Sequence, residues 1–219
     1  MSESTDKPNF IVVEGPIGVG KTSLVHRLAK HFGSEVLLEG AEENPFLQRF
    51  YANPREAALP AQLFFLFQRS RQWNDLSQGD MFRQHLIADF MLEKDRLFAQ
   101  INLDADEMRL YEQVYEHLTL EAPLPDLVVY LQAPVDVLMK RIKRRSRPVE
   151  RKIEPGYLQQ LCDAYADFFH YYDRSPLLIV NAAEIDPLKR EEDFQLLLAH
   201  ICDRSVQRRR YLNLTGFTL

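Results

Sequence analysis

The chain has 219 residues, 46% hydrophobic and 27% charged, with a formal net charge of −5. That length and composition suit one α/β domain with a substantial core, and the acidic balance argues against a nucleic-acid-binding surface. Two cysteines, Cys162 and Cys202, fit free thiols in a reducing cytoplasm better than a disulfide framework. The polar opening Met-Ser-Glu-Ser-Thr-Asp runs into an apolar stretch within ten residues, leaving no room for a signal peptide. No apolar run approaches membrane-spanning length, so a cytoplasmic protein without a membrane partner is expected.

Phe10-Ile11-Val12-Val13-Glu14 predicts a short buried parallel strand. Gly15-Pro16-Ile17-Gly18-Val19-Gly20-Lys21-Thr22 follows as a complete P-loop, and Leu24, Leu28 and Phe32 continue at helical spacing. Strand, glycine-rich turn and helix is the context in which this motif binds a nucleoside triphosphate. The glycines let backbone N–H groups turn inward around a polyphosphate, and the helix start adds its positive dipole end. Residues Gly15 through Thr22 are therefore expected to bind ATP, with Lys21 on the terminal phosphates and the Thr22 hydroxyl on Mg²⁺.

Glu35–Glu39 predicts a second strand, and Asn44-Pro45 opens a helical region that Pro54 and Pro60 punctuate into pieces. Ala61–Asp75 reads as a long helix, His85–Asp89 as a third strand, and Asp95–Thr119 as one helix or a broken pair. Asp126–Leu131 is the clearest strand, followed by a helix opening near Pro134, a basic segment, and a helix over about Glu154–Arg174. Leu177–Asn181 is the last predicted strand and Arg190–Arg204 the last helix. The alternation predicts a single-domain, three-layer P-loop kinase fold over residues 1–219, with a five-stranded parallel sheet flanked by helices. The tail, 205–219, contains Arg208-Arg209-Arg210, for which capping an adenine site, a subunit contact and mobility are all open.

Phosphoryl transfer needs charge neutralisation, a metal and activation of the acceptor. Asp89 ends a strand, the place for an acid facing the magnesium shell. Glu39 ends another, at the sheet edge where ligands bind, and is a candidate base for a substrate hydroxyl. Arg141-Ile142-Lys143-Arg144-Arg145-Ser146-Arg147, continuing to Lys152, is self-repelling unless an anion neutralises it. A short lid over about 141–153 that closes arginines over the triphosphate answers that requirement.

On these residues the chain resembles the deoxynucleoside kinases, from Phe10 to about Tyr172. The P-loop matches, including its Gly-Pro-Ile-Gly opening. Glu39-Gly40-Ala41 with Asn44-Pro45 lines up with the segment carrying the family's base, which implies that Glu39 deprotonates the nucleoside 5′-hydroxyl. Tyr51 and Gln62 match residues that meet the sugar 3′-hydroxyl and the base edge, and Arg69, two helical turns beyond Gln62, meets the base from the same side. Arg141, Arg145, Arg147 and Glu150 match the lid, arginines on phosphate and the glutamate on the sugar.

The resemblance implies a homodimer acting on a small-molecule deoxynucleoside, with deoxyadenosine, deoxyguanosine or deoxycytidine favoured by Arg69. Two departures stand out. Gly40 replaces a proline, which is expected to loosen the turn holding Glu39. Asp89-Phe90-Met91 lacks the arginine that follows the family's acid, leaving Lys94 and Arg96 as the substitutes to consider. Asp95 lines up with the acid that pairs with the base-recognising arginine. A monophosphate kinase of the thymidylate type and a non-catalytic nucleotide sensor are the alternative readings.

Overall fold

Segments too uniformly apolar to show a wet face form the middle layer of the protein. The structure, a computed structural model, describes residues 8–78, 85–118, 123–203 and 208–213. Its strands are β1 (Phe10–Glu14), β2 (Glu35–Leu37), β3 (Leu86–Ala88), β4 (Leu127–Gln132), β5 (Leu177–Asn181) and β6 (Arg209–Leu212). They form one parallel sheet in the order β2-β3-β1-β4-β5-β6. β1, β3, β4 and β5 are buried almost throughout, as parallel strands covered on both faces must be.

Helices α1 (Lys21–Phe32), α2 (Leu47–Ala52), α3 (Pro54–Gln78), α4 (Lys94–Asn102), α5 (Ala105–Leu118), α6 (Val135–Arg145), α7 (Pro155–Tyr171) and α8 (Glu191–Cys202) flank this sheet. The core joins Leu24, Val25 and Leu28 of α1, Leu158, Leu161 and Phe169 of α7 and Phe194 and Leu197 of α8 to the strands. Because all strands run the same way, β1, β2 and β3 deliver their carboxyl ends to one edge, where an open α/β sheet binds ligands.

Three sequence expectations need correction. The sheet has six strands, not five: the basic tail supplies β6, which pairs with β5 from Leu177↔Arg209 to Val180↔Leu212. Pro60 does not break the helix; α3 runs through it. An interior proline costs about 3 kcal/mol or more, which the burial of Ala57, Ala58 and Ala61 against Leu47 and Phe50 of α2 offsets. Finally, β2 stops at Leu37 rather than Glu39. The 95–119 region is the broken pair, α4 and α5.

The arginine run has a structural use. The Arg209 guanidinium donates to the carbonyls of His170 (2.9 Å) and Tyr172 (3.1 Å), at the end of α7. Arg210 donates to the carbonyls of His200 (2.6 Å) and Asp203 (2.8 Å), at the end of α8. Terminal helix carbonyls lack intrahelical donors and carry the negative end of the dipole, so each cation satisfies both. Arg210→Ala should therefore lower unfolding stability by about 1–3 kcal/mol, read as a drop in the urea midpoint. An unchanged midpoint would mean that backbone pairing alone holds β6.

Candidate active site

The P-loop turns between β1 and α1. Gly15 has φ +143°, and a Cβ there would lie 2.2 Å from the Leu131 carbonyl oxygen, so only glycine lets the loop leave β1 beside β4. No side chain caps the start of α1, leaving its first N–H groups for an anion. Lys21 donates to the carbonyls of Gly15 (2.6 Å) and Pro16 (3.3 Å). Burial, and then the nearby ammonium of Lys94, lower its pKa. The Thr22 hydroxyl donates to Asp89 Oδ2 at 2.6 Å, joining the P-loop to the end of β3.

Asp89 also sets Glu39. Its Oδ1 accepts the Glu39 backbone N–H at 2.8 Å, while Gln72 donates to the Leu38 carbonyl at 2.9 Å. These side-chain bonds replace sheet pairing past Leu37. Gly40 then turns with φ +64°, where a Cβ would come within 3.2 Å of Gln68 Nε2 and Glu43 Oε1. The glycine thus makes a left-handed turn at the place where a proline was expected.

The Glu39 carboxylate is compensated from two helices. Arg69 of α3 donates to its Oε1, and Lys94, the first residue of α4, lies 3.0 Å from the same oxygen. Burial pushes the Glu39 carboxyl up, but Lys94 and Arg69 outweigh it and hold the group well below the usual carboxylate range. Arg69 also pairs with the fully buried Asp95, and its guanidinium lies over the rings of Phe65 (5.0 Å) and Phe90 (5.9 Å). Phe90 itself packs on Trp73. Arg96, by contrast, pairs with Glu112 at the surface. Of the two basic residues proposed for the missing arginine, Lys94 stands beside Glu39 and Arg96 does not.

One cavity gathers Gly18, Gly20, Lys21, Thr22, Glu39, Tyr51, Gln62, Arg69, Asp89, Arg145, Arg147 and Glu150, together with Lys94, Phe98 and Tyr157. Gln62 is buried there with its amide oxygen unpaired among the described residues. Burial pushes the Tyr51 phenol well above its ordinary value and that of Tyr157 up to about 12, so both stay protonated donors. Arg145 pairs with Glu150, and Arg147 Nη1 lies 2.7 Å from Glu42. Gly15, Pro16 and Val19 of the expected set do not line this cavity, and of the expected lid residues Arg141 is elsewhere: it donates to the carbonyls of Val19 (2.9 Å) and Ala182 (2.6 Å) in a neighbouring hollow behind the P-loop.

Sequence reading passed over Glu14. It is fully buried at the end of β1, accepting from the N–H of Gly15 (3.1 Å), the N–H of Met91 (3.0 Å) and the Tyr165 phenol (3.0 Å). The signal was present: an acid closing an otherwise apolar strand next to a P-loop.

A family model described as deoxynucleoside kinase matches residues 11–207. A deoxyguanosine kinase of Bacillus subtilis is 34% identical over 88% of this chain and 95% of its own length. A deoxyadenosine kinase of Lactobacillus acidophilus is 30% identical over 80% and 86%. The solved structure of a deoxyadenosine kinase from M. mycoides with bound dATP superposes with a TM-score of 0.76 at 26% identity, covering 89% of this chain and 99% of that one.

The two ion pairs of this region should differ sharply in worth. Asp95→Ala removes one of the two carboxylates that compensate the buried Arg69 guanidinium and should cost up to about 3–5 kcal/mol of unfolding stability, whereas Glu112→Ala, breaking the exposed pair with Arg96, should cost under about 1 kcal/mol. Urea unfolding of the two variants separates them; equal losses would contradict the buried arrangement.

Proposed function

The chain belongs to the deoxynucleoside kinase family, and we propose that it transfers the γ-phosphoryl group of ATP to the 5′-hydroxyl of a deoxynucleoside. The observation that carries this reading is the Glu39 carboxylate, kept ionised by Lys94 and Arg69 beside the P-loop and in one cavity with Tyr51 and Gln62. Glu39 accepts the proton of the 5′-hydroxyl as its oxygen forms the new bond to the γ-phosphorus. The bond from that phosphorus to the bridging oxygen breaks, and ADP leaves. Lys21, Arg145 and Arg147 hold the charge on the transferring group, and Arg141, braced on Val19 and Ala182, fixes the loop beneath it. The Tyr51 phenol and Glu150 meet the sugar; Gln62 and Arg69 meet the base edge.

The residues present fit Mg²⁺. Thr22 and Asp89 offer two hard oxygens. That suits an ion bound by one or two protein oxygens, waters and substrate phosphates, which would neutralise phosphate charge.

Deoxyguanosine, deoxyadenosine and deoxycytidine are the acceptors this reading favours, given the names of the relatives and the presence of Arg69. No described helix is long and apolar enough to cross a membrane. The reading places the protein in the cytoplasm as a homodimeric, single-domain enzyme of nucleotide salvage, with residues 141–153 as its lid.

ATP-to-ADP turnover against the four deoxynucleosides, their ribose counterparts and thymidine monophosphate tests the proposal. Turnover with one of the favoured deoxynucleosides is expected, and Glu39→Gln should lower it by about 10²–10⁴-fold. Turnover on the monophosphate alone would make the protein a monophosphate kinase. ATP binding without transfer to any acceptor would make it a sensor.

A further inference from the structure

Lys94 occupies an unfavourable place for an ammonium. It is 3% exposed, and as the first residue of α4 it faces the positive end of the helix dipole. Burial without compensation would neutralise such a group or exclude it. Two carboxylates supply the compensation: Glu39 Oε1 at 3.0 Å and Glu14 Oε1 at 3.9 Å. Glu14 cannot turn to meet Lys94, because the N–H groups of Gly15 and Met91 and the Tyr165 phenol already fix both its oxygens. It is a stationary carboxyl group at the root of the P-loop, its pKa raised by burial against the pull of Lys94.

The contacts on Glu39 are one-sided. Arg69 donates to Oε1 and the Lys94 ammonium lies 3.0 Å from the same oxygen, the two arriving from different helices. Two cations on one oxygen, arriving from separate elements, define the rotation of the carboxylate in a way that one cation does not. They leave the second oxygen for the acceptor's proton. Arg69 is shared with Asp95, so its own position answers to α4 as well.

We propose that Lys94, backed by Glu14, is a positioning residue for the phosphoryl transfer: it fixes the Glu39 carboxylate by Oε1, keeps Oε2 open to the acceptor hydroxyl, and ties that base to the first residue of the P-loop. The inference rests on the reading of Glu39 as the base. It assigns Glu14 and Lys94 a part that a purely structural buried ion pair would not have.

The test is steady-state kinetics on the full chain with ATP and whichever deoxynucleoside turns over fastest. Lys94→Met should lower kcat by about 10²-fold, with KM for the nucleoside held within about threefold. Lys94→Arg should restore most of the loss. In a Glu39→Gln background, Lys94→Met should cost less than about threefold more, because no carboxylate remains to be held. Equal losses in both backgrounds, or a loss carried by KM alone, would overturn the proposal and leave Lys94 structural. If Lys94→Met does not fold, Glu14→Gln carries the same test: a reduced kcat alone, and little further loss with Glu39→Gln. Equal losses there overturn the proposal too. Activity in the unaltered chain together with full activity of Glu39→Gln would overturn the base assignment and this inference with it. Absence of transfer by the unaltered chain would instead overturn the kinase reading on which both stand.

Discussion

A carboxylate buried beside a phosphate-binding loop can stay ionised only if cations are built in around it, and that requirement organises this protein. Glu39 leaves the sheet just past β2, and its compensating charges come from the middle of α3 and the first residue of α4. Neither helix could deliver its cation without the parallel sheet, which sends the ends of β1, β2 and β3 to the same edge. The compensation extends outward in layers. Arg69 needs Asp95; Lys94 needs Glu14; Glu14 needs the backbone donors at Gly15 and Met91. The electrostatics of one acid thus fix the relative positions of four elements.

The same arrangement explains how the loop and the acceptor cavity stay in register. Asp89 takes the Thr22 hydroxyl on one oxygen and the Glu39 N–H on the other, so the start of α1 and the turn at Gly40 share one anchor. Phosphoryl transfer is mainly positioning and charge stabilisation. A scaffold that holds the loop and the acid from a single aspartate is suited to it.

Much of this was legible in the sequence, for reasons of locality. The P-loop is contiguous, so its residues declare both the turn and the anion. Glu39 and Asp89 could be read because each ends an apolar run. What the sequence hid was long-range or masked by composition. Lys94 meets Glu39 across 55 positions, and no periodicity on α4 marks it as inward-facing. Phe90 sits where an arginine was expected and became part of the aromatic wall beneath Arg69. Pro60 reads as a break, yet small buried alanines keep the helix together. The last strand escaped notice because Arg-Arg-Tyr-Leu resembles a solvated tail; its pairing with β5 and the helix ends that accept its guanidinium groups exist only in the fold.

That last strand also bears on how the chain is made. β5 is nearly all buried, and its outer edge is covered by residues 209–212, which follow it by some thirty residues and a helix. During synthesis the sheet therefore remains unfinished, with Leu177–Val180 presenting unpaired backbone groups, until residues 209–212 have emerged. An exposed apolar edge of this kind is a template for pairing with other chains. Stop codons or proteolytic trimming ahead of Arg209 would leave the catalytic half of the molecule untouched in sequence while exposing a sticky border, so truncated products should be lost to aggregation before any defect in chemistry becomes visible.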